Sequence, residues 1–500
     1  MRALWDDIIR PAGAPLMRMH LRGMRVDEQA RDTLRFQANE QKQDYATQVT
    51  TLASEYTGGL VQPTPSFERC SEHPDYMGLT VRRACGVCAE IYRAKKEWKA
   101  SKAVKRALRL SDFNPQSKDH VGWLLFEALG FPVGERTETG RPKVALAVLE
   151  ELHEGCADER VGVLEALVGL SHAIKRLSVD LNPPIEADGR VHPYYTLEGT
   201  SIGRVRSGSQ HFDADKSDDS DFNAQNIPEL VRRIYIPDDG YVLVELDAAQ
   251  IEWVLMMLLA RCSRGVEAYA EMRDVHTENA REVVSPLLLE HDWEALTSEE
   301  QKRDRRVTKG FTHGLDYGEG VRNLARRFGV SERQAKVARD TYLTRKWPEI
   351  GKWQEEVEQT VVETRALRNP FGRIRRFLDV TGAKRGGRSI LVLDSKQRKQ
   401  ALAFGPASAN ADLWKVCLRM LYDQGFDILT GTHDSFLLQC RESEVDETIR
   451  VAMELCESEI PELAELNGGK AWKPRFEVKI GRNWGPVAME GNPEGMVGVG

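Results

Sequence analysis

Five hundred residues allow about three domains of roughly 150 residues each, or one multi-lobed unit with a substantial core. At 41% hydrophobic and 29% charged, with no run near the roughly 18 apolar residues needed to cross a bilayer, the composition excludes the membrane-spanning and disordered classes. Seventy Lys and Arg against 77 Asp and Glu leave a net charge of -7, which on average speaks against a nucleic-acid surface, although such an average hides local basic patches. The start, Met1-Arg-Ala-Leu-Trp-Asp-Asp, has no secretory signal pattern, so a reducing, cytoplasmic setting is expected. The eight Cys are then free thiols or metal ligands rather than disulfides.

In chain order, the first element is a long exposed helix from Val26 to about Tyr56, with Asp27 as N-cap and no Gly or Pro after it. Thr57-Gly58-Gly59 stops it, and Pro63-Thr64-Pro65 opens an irregular segment. That segment carries Cys70-Ser-Glu-His73 and Cys85-Gly-Val-Cys88, a CxxH…CxxC set that suits tetrahedral zinc; unrelated free thiols are the alternative. Structural zinc contributes on the order of 10 kcal/mol to folding, enough to order a stretch with so little apolar content. Between Arg93 and Arg109, Lys95, Lys96, Lys99, Lys102 and Lys105 stand among other cations opposed only by Glu97. A solvated helix face is the ordinary reading of such a run; its place beside the cysteine cluster points to phosphate contact.

Residues 110–190 read as short helices broken at Gly130-Phe-Pro132 and Asn182-Pro183-Pro184. The pattern changes at Asp238-Asp239-Gly240 followed by Tyr241-Val-Leu-Val-Glu-Leu-Asp247, a turn feeding a strand that ends on a carboxylate. Ile251 to Ala260 is almost wholly apolar and reads as a buried helix. Ser331 and Gln334 form a capping box for a later helix. Near the end, Ile428 to Leu438 reads as two short apolar strands around a polar tip holding Asp434.

Asp247 and Asp434 each end a predicted strand, and neighbouring strands would make them converge. Two bare carboxylates about 4 Å apart repel by roughly 4 kcal/mol at an effective dielectric of 20, so such a pair needs a proton or a cation, and magnesium is the natural partner when phosphates are present. Arg305, Lys309 and His313 recur every fourth residue, so a helix puts them on one face spanning about 12 Å, the reach of a triphosphate plus sugar. Gly310, Gly314 and Gly318 share another stripe. Each Gly costs a helix roughly 1 kcal/mol relative to Ala, which implies close backbone approach or a mobile helix.

On these residues the sequence resembles the family A, polymerase I-like DNA polymerases. Asp247-Ala-Ala-Gln-Ile-Glu252 resembles motif A, Arg305 to Gly318 motif B, and Thr432-His-Asp-Ser435 motif C, in family order. Thr200 through Gly203-Arg204, Asp274-Val-His276, Phe371-Gly-Arg373 and Gly481-Arg-Asn-Trp-Gly485 add to the likeness, which covers roughly residues 10 to 490. The resemblance implies an α+β right-hand fold: a palm with an antiparallel sheet, helical fingers, and a helical thumb carrying a small zinc-binding insertion. It assigns the thumb and opening segment to 1–190 (insertion 60–92, basic helix 93–110), the palm to 191–260 and 366–500, and the fingers to 261–365. It implies that Asp247, Asp434 and the Ala248 carbonyl hold two Mg²⁺ ions, and that Lys309, Arg305 and His276 bind the dNTP phosphates. Glu252 would exclude a ribose 2′-hydroxyl, and Gln250, His313 and Tyr317 would stand at the nucleotide. Arg204, His433 and Arg373 would contact primer-template DNA.

Several positions depart from the family pattern. His313 replaces an aromatic Phe or Tyr, Ser435 replaces an acid, and Ala403 and Ala407 replace Asn and Gln, which predicts weaker mismatch discrimination. A phage-type, monomeric enzyme without 3′ to 5′ proofreading is expected, with a partner chain for exonuclease or processivity left open. The rivals are a single-subunit RNA polymerase, against which Glu252 argues, and a catalytically silent DNA-binding clamp or scaffold.

Overall fold

The computed structural model describes residues 3–57, 67–70, 73–79, 113–208, 222–378, 381–385 and 388–499, apart from 135, 138, 139, 155, 157 and 158; for 67–79 and 381–392 it describes the backbone alone. The chain divides into one unit made of residues 1–32 with 182–500 and a second made of residues 33–181. No helix among the described residues is long and apolar enough to cross a membrane.

The larger unit is organised on one five-stranded sheet: β1 (Tyr241–Ala248), β2 (Asp427–Gly431), β3 (Ser435–Arg441), β4 (Phe476–Gly481) and β5 (Val497–Val499). The order is β2-β3-β1-β4-β5 and every pairing is antiparallel. β1 lies at the centre, and its run Leu243 to Leu246 is buried, as suits a strand covered on its two faces. The one acid in that run, Glu245, accepts from the indole N–H of Trp484 at 2.9 Å and stands 3.4 Å from the Lys479 ammonium, so its burial is compensated.

β1 leads into helix α1 (Ile251–Leu259), which the sequence reading placed within one residue at its end. Helix α2 (Ser298–Asp316) starts on a capping box in which Thr297 and Glu300 satisfy each other's backbone N–H groups. With Met256, Tyr342, Ile350 and Trp353, its Phe311 and Leu315 form a second hydrophobic core. The Ser331–Gln334 capping box opens the helix Glu332–Thr341 as expected. The 29-residue helix α3 (Ser395–Asp423) crosses the sheet, and its Leu413, Trp414 and Leu418 pack with Val244, Leu246 and Phe436 in the main core.

Leu4, Ile8, Leu16 and Met19 are buried in that same core. Residues 1–32 group with the sheet-bearing unit, where apolar residues on the opening helices bury their surface.

The unit of residues 33–181 has its own core, in which Val49 and Ala53 from the long helix Glu28–Thr57 meet Leu124, Leu164 and Leu167. A Cβ on Gly169 would stand 2.5 Å from the Tyr45 ring, so glycine is required there for the helices to approach. Strands Phe67–Cys70 and His73–Leu79 pair antiparallel with Cys70 opposite His73. The side chains of Cys70 and His73, and all of Cys85, Cys88, Lys95, Lys96, Lys99, Lys102 and Lys105, lie outside the described residues.

Candidate active site

The pairing of β1 with β3 sets Asp247 directly opposite Ser435, and the Ala248 N–H donates to the Asp434 carbonyl at 2.8 Å. The two carboxylates that are remote in sequence thereby come together at the ends of neighbouring inner strands. Asp434 sits on the turn between β2 and β3, where the Thr432 hydroxyl donates to its Oδ1 at 3.1 Å and bonds the Ser435 hydroxyl at 2.8 Å. On the other side of β1, Glu477 of β4 lies opposite Asp247, and the Lys479 ammonium is 3.6 Å from Asp247 Oδ2. Burial first, and then the Asp434 charge, push the Asp247 carboxyl up to about 6 against the pull of Lys479. Carboxylate oxygens with so little compensating charge suit a hard divalent cation, and among the described residues no group of three or more His, Cys, Asp or Glu is gathered closely enough to hold one unaided.

The helix reading of the cations holds: Arg305, Lys309 and His313 all face the cavity of about 650 Å³ that Asp247 and Asp434 also line. Lys309 is exposed, and no acidic partner pairs with it among the described residues. Arg305 donates to both oxygens of Asp274, at 2.8 and 3.1 Å; burial opposes ionisation of Asp274, yet this guanidinium holds its carboxyl at about 2. Asp274 also caps the helix Val275–Asn279, accepting from the Thr277 N–H at 3.2 Å. That helix carries His276 into the cavity with Nδ1 buried and unpartnered. Burial, and then Arg305 and Lys309, lower the His276 pKa, so its imidazole is neutral and offers one acceptor and one donor.

Gln250 caps α1 in the left-handed region at φ 45, a conformation uncommon outside glycine. It turns the chain so that Glu252 enters the same cavity. Glu252 accepts from the Tyr317 hydroxyl at 2.9 Å and pairs with the Arg204 guanidinium, whose Nε is buried without an acceptor. Tyr317 ends α2, with the His313 ring edge-on at 4.8 Å between centroids. The glycine stripe faces side-chain ends: a Cβ on Gly310 would come within 3.1 Å of the Arg327 guanidinium, and one on Gly314 would meet the Glu319 carboxylate. His433 is half-buried beside Asp434, its backbone carbonyl accepting from Asn410 Nδ2 at 3.2 Å.

Arg373 behaves otherwise. It is 8% exposed, and its guanidinium donates to Asp412 at 2.6 and 3.0 Å and to Glu198 at 2.5 and 3.1 Å. At the place where the resemblance implies a DNA contact, the guanidinium is engaged within the protein as an internal strut. Two cavity residues escaped the sequence reading. Glu477 had a signal, since Phe476, Val478 and Ile480 alternate and leave Glu477 and Lys479 on the opposite face. Asp316 had none: it looks like an exposed acid near a helix end, yet it is buried, bonded by the Tyr342 hydroxyl at 2.9 Å, and burial pushes its carboxyl up to about 7.

A carboxylate pair facing a helix of cations across one cavity is equipped for phosphoryl transfer. The comparisons agree. Over 399 residues the chain is 27% identical to the thermostable DNA polymerase I of Thermus aquaticus, covering 74% of this chain and 42% of that protein. Over 380 residues it is 28% identical to the DNA polymerase I of Pseudomonas aeruginosa, covering 72% of this chain and 38% of that one. The chain thus spans about two fifths of the length of these relatives. The fold superposes on the POL domain of Pol1 from M. smegmatis, solved in complex with DNA primer-template and dNTP, with a TM-score of 0.66 at 21% identity over 96% of this chain and 71% of that one. The profile of DNA polymerase family A matches residues 89–486, a span holding every residue of the cavity, and the chain belongs to that family.

Proposed function

We propose that the cleft adds dNTPs to a primer 3′-hydroxyl under the direction of a DNA template, by a two-metal-ion mechanism. The observation that carries this reading is the convergence of Asp247 and Asp434 below Arg305, Lys309 and His276 in one cavity. Two Mg²⁺ ions held by Asp247, Asp434 and the Ala248 carbonyl would activate the primer hydroxyl and neutralise the triphosphate. Lys309 and Arg305 bind the phosphates; as the primer oxygen bonds to the α-phosphorus, the bond to the bridging oxygen breaks, and Lys309 protonates the departing pyrophosphate. The buried Arg204 Nε–H and His276 Nδ1, which have no partner, suit a site whose partners arrive with the nucleic acid and nucleotide, since buried polar atoms left unpaired are costly. Glu252 stands against the sugar and disfavours ribonucleotides. On this reading residues 33–181 form the thumb, 261–365 the fingers, and the sheet the palm. The zinc set Cys70, His73, Cys85 and Cys88 is part of the same proposal, supported by its spacing and by Cys70 lying opposite His73; Cys85→Ser should purify without zinc.

Primer extension with dNTPs and then with rNTPs tests the reading. Extension that prefers dNTPs and is lost in Asp434→Asn is expected. No extension by the wild-type chain, or equal extension by Asp434→Asn, defeats it.

A further inference from the structure

Behind the cleft lies a charged cluster with a fully buried centre, Lys415 and Asp412, and an exposed rim, Glu198. Lys415 and Asp412, one turn apart on α3, are both 0% exposed. Arg373 bridges Asp412 and Glu198 as described above, and Asn369 Nδ2 donates to Asp412 Oδ2 at 2.8 Å. Two cations and two anions cancel. Lys415 stands 3.8 Å from Asp412 Oδ1 and 4.0 Å from Glu198 Oε1, while its hydrogen bonds go to backbone carbonyls, that of Ala411 at 3.3 Å and that of Gly203. An ammonium in this position loses several kcal/mol of hydration that its ion pairs repay incompletely, and burial lowers its pKa to about 8. For packing alone an apolar side chain of that length would serve as well. What the ammonium adds is its bond to Gly203.

Gly203 has φ +82, and a Cβ there would collide with the Arg373 guanidinium, so the turn lies directly on the cluster. The backbone N–H of the next residue, Arg204, donates to the Thr200 hydroxyl oxygen at 3.0 Å, and its carbonyl accepts from the Gly199 N–H at 3.2 Å. Its guanidinium pairs with Glu252, which also accepts from Tyr317. A continuous path therefore runs from Lys415 through the 199–204 turn to Glu252 at the cavity wall.

We propose that Lys415 is a positioning residue for sugar selection: by donating to the Gly203 carbonyl it fixes the turn from which Arg204 holds Glu252 in place. The proposal rests on the polymerase reading above, in which Glu252 excludes the 2′-hydroxyl. Arg373 and Asp412 hold the cluster together, whereas Lys415 sets the backbone that aims Arg204.

The test is single-nucleotide incorporation by the full chain with a dNTP and its matching rNTP, comparing kcat/KM. Lys415→Met should lower the dNTP-to-rNTP ratio about tenfold, mainly through a lower KM for the rNTP, and Arg204→Ala should do likewise. The double variant Lys415→Met/Arg204→Ala should go no lower than either alone, because residues on one path are not additive. Lys415→Met leaves the cluster with a net negative charge and will lower the melting temperature. The charge-balanced Lys415→Met/Glu198→Gln should recover the melting temperature but keep the low ratio, which a merely structural role does not predict. A wild-type ratio in the charge-balanced variant, or full additivity with Arg204→Ala, overturns the proposal. If Glu252→Ala lowers the ratio while the charge-balanced variant does not, this inference falls and the polymerase reading stands. If the wild-type chain extends no primer, both fall together.

Discussion

The sheet-bearing unit holds two groups of charges that are treated in opposite ways. Arg373, Lys415, Asp412 and Glu198 cancel within ion-pair distance of one another. In the cleft, the Lys479 ammonium stands 3.6 Å from Asp247, no ion pair reaches Asp434 among the described residues, and Lys309 faces the two carboxylates across the cavity. The physical lesson is that internally matched charges build the scaffold, whereas charges left unmatched define what the ligand must bring. A triphosphate with hard divalent cations brings both signs.

The contrast predicts separable consequences. Asp434→Asn should reduce single-turnover extension by on the order of 10³-fold or more, about 4 kcal/mol in the barrier; because Asp434 is exposed on its turn, the melting temperature should hardly move. A large loss of stability there would erase the distinction between the two groups. Asp412→Asn should do the reverse, costing about 3 to 5 kcal/mol in denaturant unfolding, since it leaves Arg373 and Lys415 short of an anion in a buried place.

Asp316 offers an intermediate case, a buried acid with only a hydroxyl for company. Its folded-state pKa, pushed up to about 7, lies above the unfolded value, so its contribution is fully present below about pH 4 and is lost as pH rises through 7. The difference across that window is on the order of 4 kcal/mol. Asp316→Asn keeps an acceptor for Tyr342 and should be more stable than wild type at pH 8, with the advantage vanishing near pH 4; equal pH profiles of the melting temperature would contradict it. The smallest effect is expected at Asp274→Asn, which keeps the cap to Thr277 while loosening Arg305. A partly exposed pair contributes about 1 kcal/mol or less, so KM for the dNTP should change by no more than about threefold in steady-state assays.

How far the sequence carried can be read from particular residues. Asp247 and Asp434 were legible because strand-end carboxylates after apolar runs report local structure, and the four-residue spacing of Arg305, Lys309 and His313 reports a helix face. The Ser331 capping box is equally local. The box of Thr297 and Glu300 has the same pattern. For Arg373 the sequence is silent on direction, because a motif does not state which way a long side chain turns. The one available clue was the pair Asp412 and Lys415 inside the apolar stretch from Ala401 to Leu418, where charges need partners. The placement of residues 1–32 had no local signal, since burial of Leu4 or Met19 depends on which surface they meet.

By itself the sequence determined the strands, the cationic helix and the residue types of the cleft, because periodicity, capping and turn chemistry act over a few residues. Only the tertiary structure decided which charges cancel. It took antiparallel pairing to bring Asp247 to Asp434, and the packing of α3 against the 199–204 turn to bury Lys415 on the Gly203 carbonyl. Electrostatic compensation depends on distance through space, and distance through space between remote segments exists only once the chain has folded.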